Sequence, residues 1–294
     1  MKRQPPNKVI KELCKEVGFA CPICASPFLS WHHFDPPWRD KQHHNPAGMI
    51  ALCPEHAAHA DGGHWTVAQL RQLKRPLNLN ERVRSAWPWK PEKAVFMLGN
   101  SYYVGERALL GINGRRVIFA SRYSPEGFED STVMLSVSLQ DGKGRPILTL
   151  ENNFLSFSAS HLVDVRCPPQ ARSFEVKSNG GELLKLQHKR FSLDEFIDQI
   201  PASTFNKFDT PEIVKKLILQ SDALDSEGML PVIEISGDLN SKDIELKLNR
   251  NKSTMLMKSY RNELVNIHGR FYFPHLSSGA LIIKFGEKEI LKFG

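Results

Sequence analysis

Between residues 21 and 61 the chain reads CPICASPFLSWHHFDPPWRDKQHHNPAGMIALCPEHAAHAD, and four side chains in it fall into two pairs. Cys21 and Cys24 form the first and Cys53 and His56 the second, each with two residues between. Two tight turns with that spacing offer their ligands to one tetrahedral ion, and zinc is the metal that takes Cys and His in this way. A structural zinc is the expectation, set against cysteines merely buried as small hydrophobes. Four protein ligands fill a tetrahedral shell, so catalysis in such a module needs a second ion elsewhere. Between the pairs lie a histidine doublet, His32-His33, and then Asn45.

A chain of 294 residues has room for two or three domains, and its 41% hydrophobic and 24% charged residues suit a folded globular protein. The formal net charge of +7 favours an anionic partner. Its distribution is uneven: residues 1–95 carry 14 Lys/Arg against 8 Asp/Glu, about +6 of the +7, and 7 of the 11 histidines lie between His32 and His64. The N-terminal MKRQPPNKVIKELCKEVG is polar and lacks the apolar core of a secretory signal. No run of about 18 apolar residues occurs, so no membrane span is expected. Cys14 and Cys167 fit no spacing rule, which points to a reduced, cytoplasmic protein.

Residues 7–17 place Val9, Ile10, Leu13 and Val17 at helical spacing, and Gly18 suits the stop. A knuckle turn and a strand carrying the two histidines follow. Neighbours on a strand point to opposite faces, so His32 and His33 are expected to share a site only through a twist or bulge. The polar loop 35–48 precedes a short apolar strand that delivers Cys53, with Pro54 opening a helix. Thr66 and Gln69 spell a capping box for another helix. Residues 77–93 read as a linker with prolines and tryptophans, and 94–294 as a β-rich domain with two or three helices, divisible near 190. Hairpin turns are signalled at Asn113-Gly114, Asp141-Gly142 and Asn179-Gly180, and a capping box at Ser192-Glu195. Fold class is α+β.

The order Cys pair, His-His, Asn, Cys-x2-ligand resembles the HNH endonuclease superfamily, in its version with a structural zinc, over residues 14 to about 75. The resemblance implies a ββα-metal module at residues 1–76. It implies that His33 is the general base, that His32 holds a catalytic divalent ion such as Mg2+, and that Asn45 braces the loop aiming His33. The partner it implies is DNA, duplex above all, in defence or mobile-element biology. One departure is plain. Many members carry a histidine four residues after the equivalent of Cys53 and a histidine or acid four further on, where this chain has Ala57 and Asp61. His59 and Asp61 are the substitutes for the missing ligand, though His59 on a regular helix faces away from those two positions. The alternative is a catalytically idle zinc module that binds DNA or a protein. Arg71, Lys74 and Arg75 are candidates to track a phosphate backbone, against the plainer reading of a solvated helix. His43 and His44 read as solvated loop residues, and a homodimer or a protein partner through the β-rich domain is left open.

Overall fold

The computed structural model describes the chain apart from residues 1, 75–81, 88–90, 100, 105–106, 113–114, 124–131, 142, 159–161, 169–170, 180, 201, 203–204, 206–209, 241–243, 251–252, 258–263, 268–270, 273–280 and 284–294. It is mixed α+β and strand-rich, with five α-helices among the described residues. Contacts divide it into two compact units, Met1–Trp87 with Leu155–Gly181, and Pro88–Phe154 with Glu182–Gly294. Where sequence texture suggests a single boundary across residues 77–93, residues 155–181 group with the N-terminal unit.

In that unit, helix α1 (Asn7–Glu16) buries Leu13 and Cys14, and Val17 beyond it is fully buried. It ends in a Schellman turn: the Gly18 N–H donates to Lys15 O and the Phe19 N–H to Cys14 O, with both residues at positive φ. Phe19 adopts φ 62° because the turn drives its ring into the core, where it is 5% exposed. Strands β1 (Ser30–His33) and β2 (Met49–Leu52) pair antiparallel, His32 opposite Ile50 and His33 opposite Met49. All four residues of β2 are fully buried, as a strand covered on both faces requires. Helix α2 (Pro54–Asp61) starts at Cys53, and α3 (Val67–Leu73) carries the expected capping box, Thr66 with Gln69.

The returning segment supplies a short antiparallel ladder, Asp164–Arg166 against Ser173–Ser178, with Val165 opposite Val176. Its backbone reaches the first strand's approach, where the Leu29 N–H donates to Cys167 O. Trp87, 2% exposed, stands edge-on to Phe28 at 5.6 Å and to Phe174 at 5.2 Å. The ring joins the knuckle to the returning segment. Trp87→Ala is expected to cost about 3–5 kcal/mol, read as a lower denaturation midpoint with unchanged slope. Cys14 and Cys167 are buried free thiols. Burial foremost, then the Asp164 charge, pushes Cys14 from an ordinary 9.0 up to about 12, and burial raises Cys167 as well. Both thiols are therefore expected to resist alkylation at pH 8–9 until the protein is denatured. The unfolded chain ionises Cys14 first, so its contribution to stability is whole below pH 9 and is lost as pH rises towards 12.

The second unit holds a meander of four consecutive antiparallel strands, Arg107–Ile112, Arg115–Tyr123, Thr132–Gln140 and Pro146–Glu151. Thr132–Gln140 alternates half-buried and buried without a break, the mark of a strand with one face on a core. Leu230–Asn240 pairs antiparallel with Gly181–Phe191 and parallel with Val95–Leu98. Helices α4 (Leu193–Gln199), opened by the Ser192–Glu195 capping box, and α5 (Pro211–Gln220) pack Phe196, Val214 and Ile218 onto Leu230 and Val232. The strands flank the expected hairpin turns at 113–114 and 141–142; Asn113, Gly114, Gly142 and Gly180 themselves lie outside the described residues. No helix among the described residues is long and apolar enough to cross a membrane.

Candidate metal centre and adjoining histidine cavity

The two pairs meet. One donor atom from each of Cys21, Cys24, Cys53 and His56 lies within 4.8 Å of the others. The first pair is held by a tight turn in which the Ala25 N–H donates to Cys21 O and the Cys21 N–H to Ser26 O, both at 2.8 Å, with Ala25 at φ 60°. The second sits at a helix start: Cys53 ends β2 and caps α2, placing His56 one turn on. Cys24 Sγ is 3.7 Å from Cys53 Sγ, and His56 Nδ1 is 3.6 Å from Cys21 Sγ and 3.0 Å from Cys53 Sγ. Sulfurs about 2.3 Å from a tetrahedral zinc stand roughly 3.8 Å apart, so the Cys24–Cys53 edge fits one ion. Burial foremost, with the neighbouring sulfurs adding to it, pushes the Cys24 thiol up to about 12 and raises Cys53. A divalent cation reverses this by binding thiolates and releasing protons. The group can hold a structural metal such as zinc.

The histidine doublet lines a separate cavity of about 350 Å3 within the same unit. No bulge is involved, since the β1–β2 register runs unbroken through both residues. They share the cavity because it spans the end of the strand, with α2 and the turn after it on one side and the 35–48 loop on the other. His32, 8% exposed, has Nδ1 3.0 Å from Asp61 Oδ1. Its pKa is lowered: burial outweighs the pull of Asp61 in the opposite direction. His33 is 5% exposed, and neither ring nitrogen has a hydrogen-bond partner. Burial first, then the neighbouring His43, brings its pKa down to about 4, so the ring is neutral at physiological pH.

The loop holds this arrangement through bonds that sequence alone did not disclose. His43 is 9% exposed rather than solvated: its Nδ1 accepts the Asn45 N–H at 3.1 Å, which fixes the proton on Nε2 for donation to Pro36 O at 2.8 Å. His43 stands edge-on to His33 with ring centres 5.2 Å apart. His44 bonds Lys2 O through Nε2 at 3.0 Å and stacks on Trp38. Asn45 caps the 3-10 turn Pro46–Gly48, its Oδ1 accepting the Ala47 N–H at 3.2 Å. The Gly48 carbonyl accepts both the Phe34 and Asp35 N–H groups, and a Cβ at Gly48 would overlap the Asp35 carbonyl oxygen and stand 3.0 Å from His43 Cε1. Gly48→Ala is therefore expected to destabilise the unit by about 1–3 kcal/mol or more, measured as a fall in melting temperature.

Of the three candidate ligands for a second ion, His32 and Asp61 are together and His59 is apart. His59 is exposed on the His56 side of α2, stacked on His64 with ring centres 4.9 Å apart. Arg71 forms an ion pair with Asp35, and Lys74, 12% exposed, bonds Glu16 and the Pro46 carbonyl. Both tie α3 to the walls around the loop, which leaves little of Lys74 for a phosphate. Arg75 lies outside the described residues. Arg3, Trp38 and Trp65 also line the cavity, and no spacing rule marks them, because they come from the N-terminal arm, the loop and the α2–α3 turn. Comparisons with protein families, with curated proteins and with solved structures find no match to this chain.

Proposed function

We propose that the N-terminal unit is an HNH-type, metal-dependent endonuclease that hydrolyses DNA phosphodiesters, with zinc in the Cys21, Cys24, Cys53, His56 group as a structural ion. The observation that carries this is the pairing, in one cavity, of an unengaged neutral imidazole, His33, with a His32–Asp61 donor pair 3.0 Å apart.

His33 takes the proton of the attacking water, for which a neutral ring with a free lone pair inside a cavity is suited. The negative charge of an entering phosphate raises its pKa from the low value set by burial and so strengthens it as a base. His32 and Asp61 are the chain's donors to a catalytic divalent ion. Adjacent ligands of an octahedral ion with bonds of about 2.1 Å lie roughly 3.0 Å apart, as this nitrogen and oxygen do. Such an ion, Mg2+ for example, supplies charge stabilisation for the departing 3′ oxygen. Asn45 and His43 keep the loop fixed against the strand that carries His33.

The second reading, a zinc module that binds DNA or a protein without cutting, is favoured by Ala57, where the family pattern has a further ligand. Cleavage of DNA by zinc-loaded protein with Mg2+, Mn2+ or Ni2+, abolished by EDTA, supports the nuclease. Retention of DNA with no cleavage under any of these ions supports the second reading instead.

A further inference from the structure

A second cavity, about 500 Å3, meets the first along β1: Ser30 and Trp31 line the larger, His32 and His33 the smaller, and Arg3 lines both. Each falls in the size range of small-molecule sites, about 300–1,000 Å3. The larger has a buried apolar floor, Leu29 and Val165 among it, a half-exposed Trp31, and a basic edge of Lys11 and Arg166. Its one acid, Asp164, is 5% exposed and already pairs with Arg166 at 3.2 Å. The smaller has Trp38 and Trp65 half-buried in its walls and Arg39 beside Arg3 as its cations. Trp65 has three histidine neighbours, His56, His59 and His64, all inclined to it by 46–49°, so none of them stacks on its indole face.

Aromatic surfaces alternating with cations along one edge are how proteins hold a strand whose bases are unstacked. We infer that this face binds an unpaired nucleic-acid strand, its backbone passing over Arg3, one nucleotide entering the histidine cavity and its neighbour seated in the larger cavity against Trp31. This rests on the nuclease reading for the chemistry and narrows its substrate. A continuous duplex keeps its bases inside the stack, and filling both cavities would require two successive nucleotides to be extruded, each at the cost of unpairing and unstacking. The duplex expected from the family resemblance gives way here to a single strand, or to a bulge, flap or loop in a duplex.

The test is the binding of a labelled oligothymidylate of about ten nucleotides, with EDTA present so that nothing is cut, compared with a matched continuous duplex. The strand is expected to bind more tightly than the duplex. Trp31→Ala is expected to weaken it about 5- to 100-fold, the loss of one stacked base. Lys11→Glu, away from the hairpin, weakens it too and lowers the salt dependence. With Arg3, Lys11 and Arg39 on phosphates, log K falls against log salt with a slope of about −2. Zinc content and circular dichroism identify any variant that has failed to fold. Equal affinity for the duplex, or unaltered strand binding in both folded variants, would overturn the inference. A cleavage arm separates it from the reading beneath it. Duplex cut as fast as single strand overturns the strand preference and leaves the nuclease standing; intact strand binding with no cleavage of any substrate overturns the nuclease and leaves the strand site.

Discussion

Cys53→Ser is expected to strip the zinc and unfold the N-terminal unit. Structural zinc contributes on the order of 10 kcal/mol of apparent folding free energy in small modules, as much as the whole stability of a typical domain. Cys53 concentrates that effect because it ends β2, caps α2 and stands beside both Cys24 and His56. Tryptophan fluorescence reports on this unit in particular, since Trp31, Trp38, Trp65 and Trp87 belong to it and Trp89 alone does not. A strong chelator acting on wild type is expected to produce the same spectral change, and stoichiometric zinc to reverse it. A metal-free protein with an unaltered melting curve would show that the four residues pack as a core without an ion.

His33→Ala is expected to lower cleavage about 100- to 10,000-fold, the usual contribution of a positioned acid or base. Its cost to stability is expected to be small by comparison, because neither ring nitrogen is bonded and only ring contacts, chiefly with Trp38 at 4.7 Å, are lost. Zinc content is expected to stay unchanged, since His33 lies outside the Cys21, Cys24, Cys53 and His56 group. That combination distinguishes a chemical role from a structural one. A residue that merely filled space would lose melting temperature and activity together.

How far the sequence carries this account differs between its parts. The metal group is legible because ligand spacing is local: two intervening residues already specify a turn or a helix start, and β2 had only to bring the turns together. The helix signals at Thr66, Ser192 and Pro211 are legible for the same reason, each being a bond between residues three apart or a proline at a first turn. The histidine cavity is less so. Strand alternation suggested a bulge for His32 and His33, whereas a cavity spanning a strand end reaches both without one. His43 looked solvated because polar loops usually are, and its burial follows from bonds to Pro36 and Asn45 that no local pattern encodes. The return of residues 155–181 to the N-terminal unit is a long-range event, made by apolar contacts such as Trp87 on Phe174. Arg3, distant in sequence and lining both cavities, carries no motif at all.

The most direct measurement is plasmid nicking by zinc-loaded wild type and by His33→Ala, side by side at low salt, with Mg2+ or Mn2+ and an EDTA control. A metal-dependent hydrolase with His33 as base predicts nicking by wild type alone, abolished by EDTA at a concentration that leaves the zinc in place. Equal nicking by the two proteins would contradict the role of His33, and no nicking by zinc-loaded wild type with any divalent ion would contradict the enzyme itself.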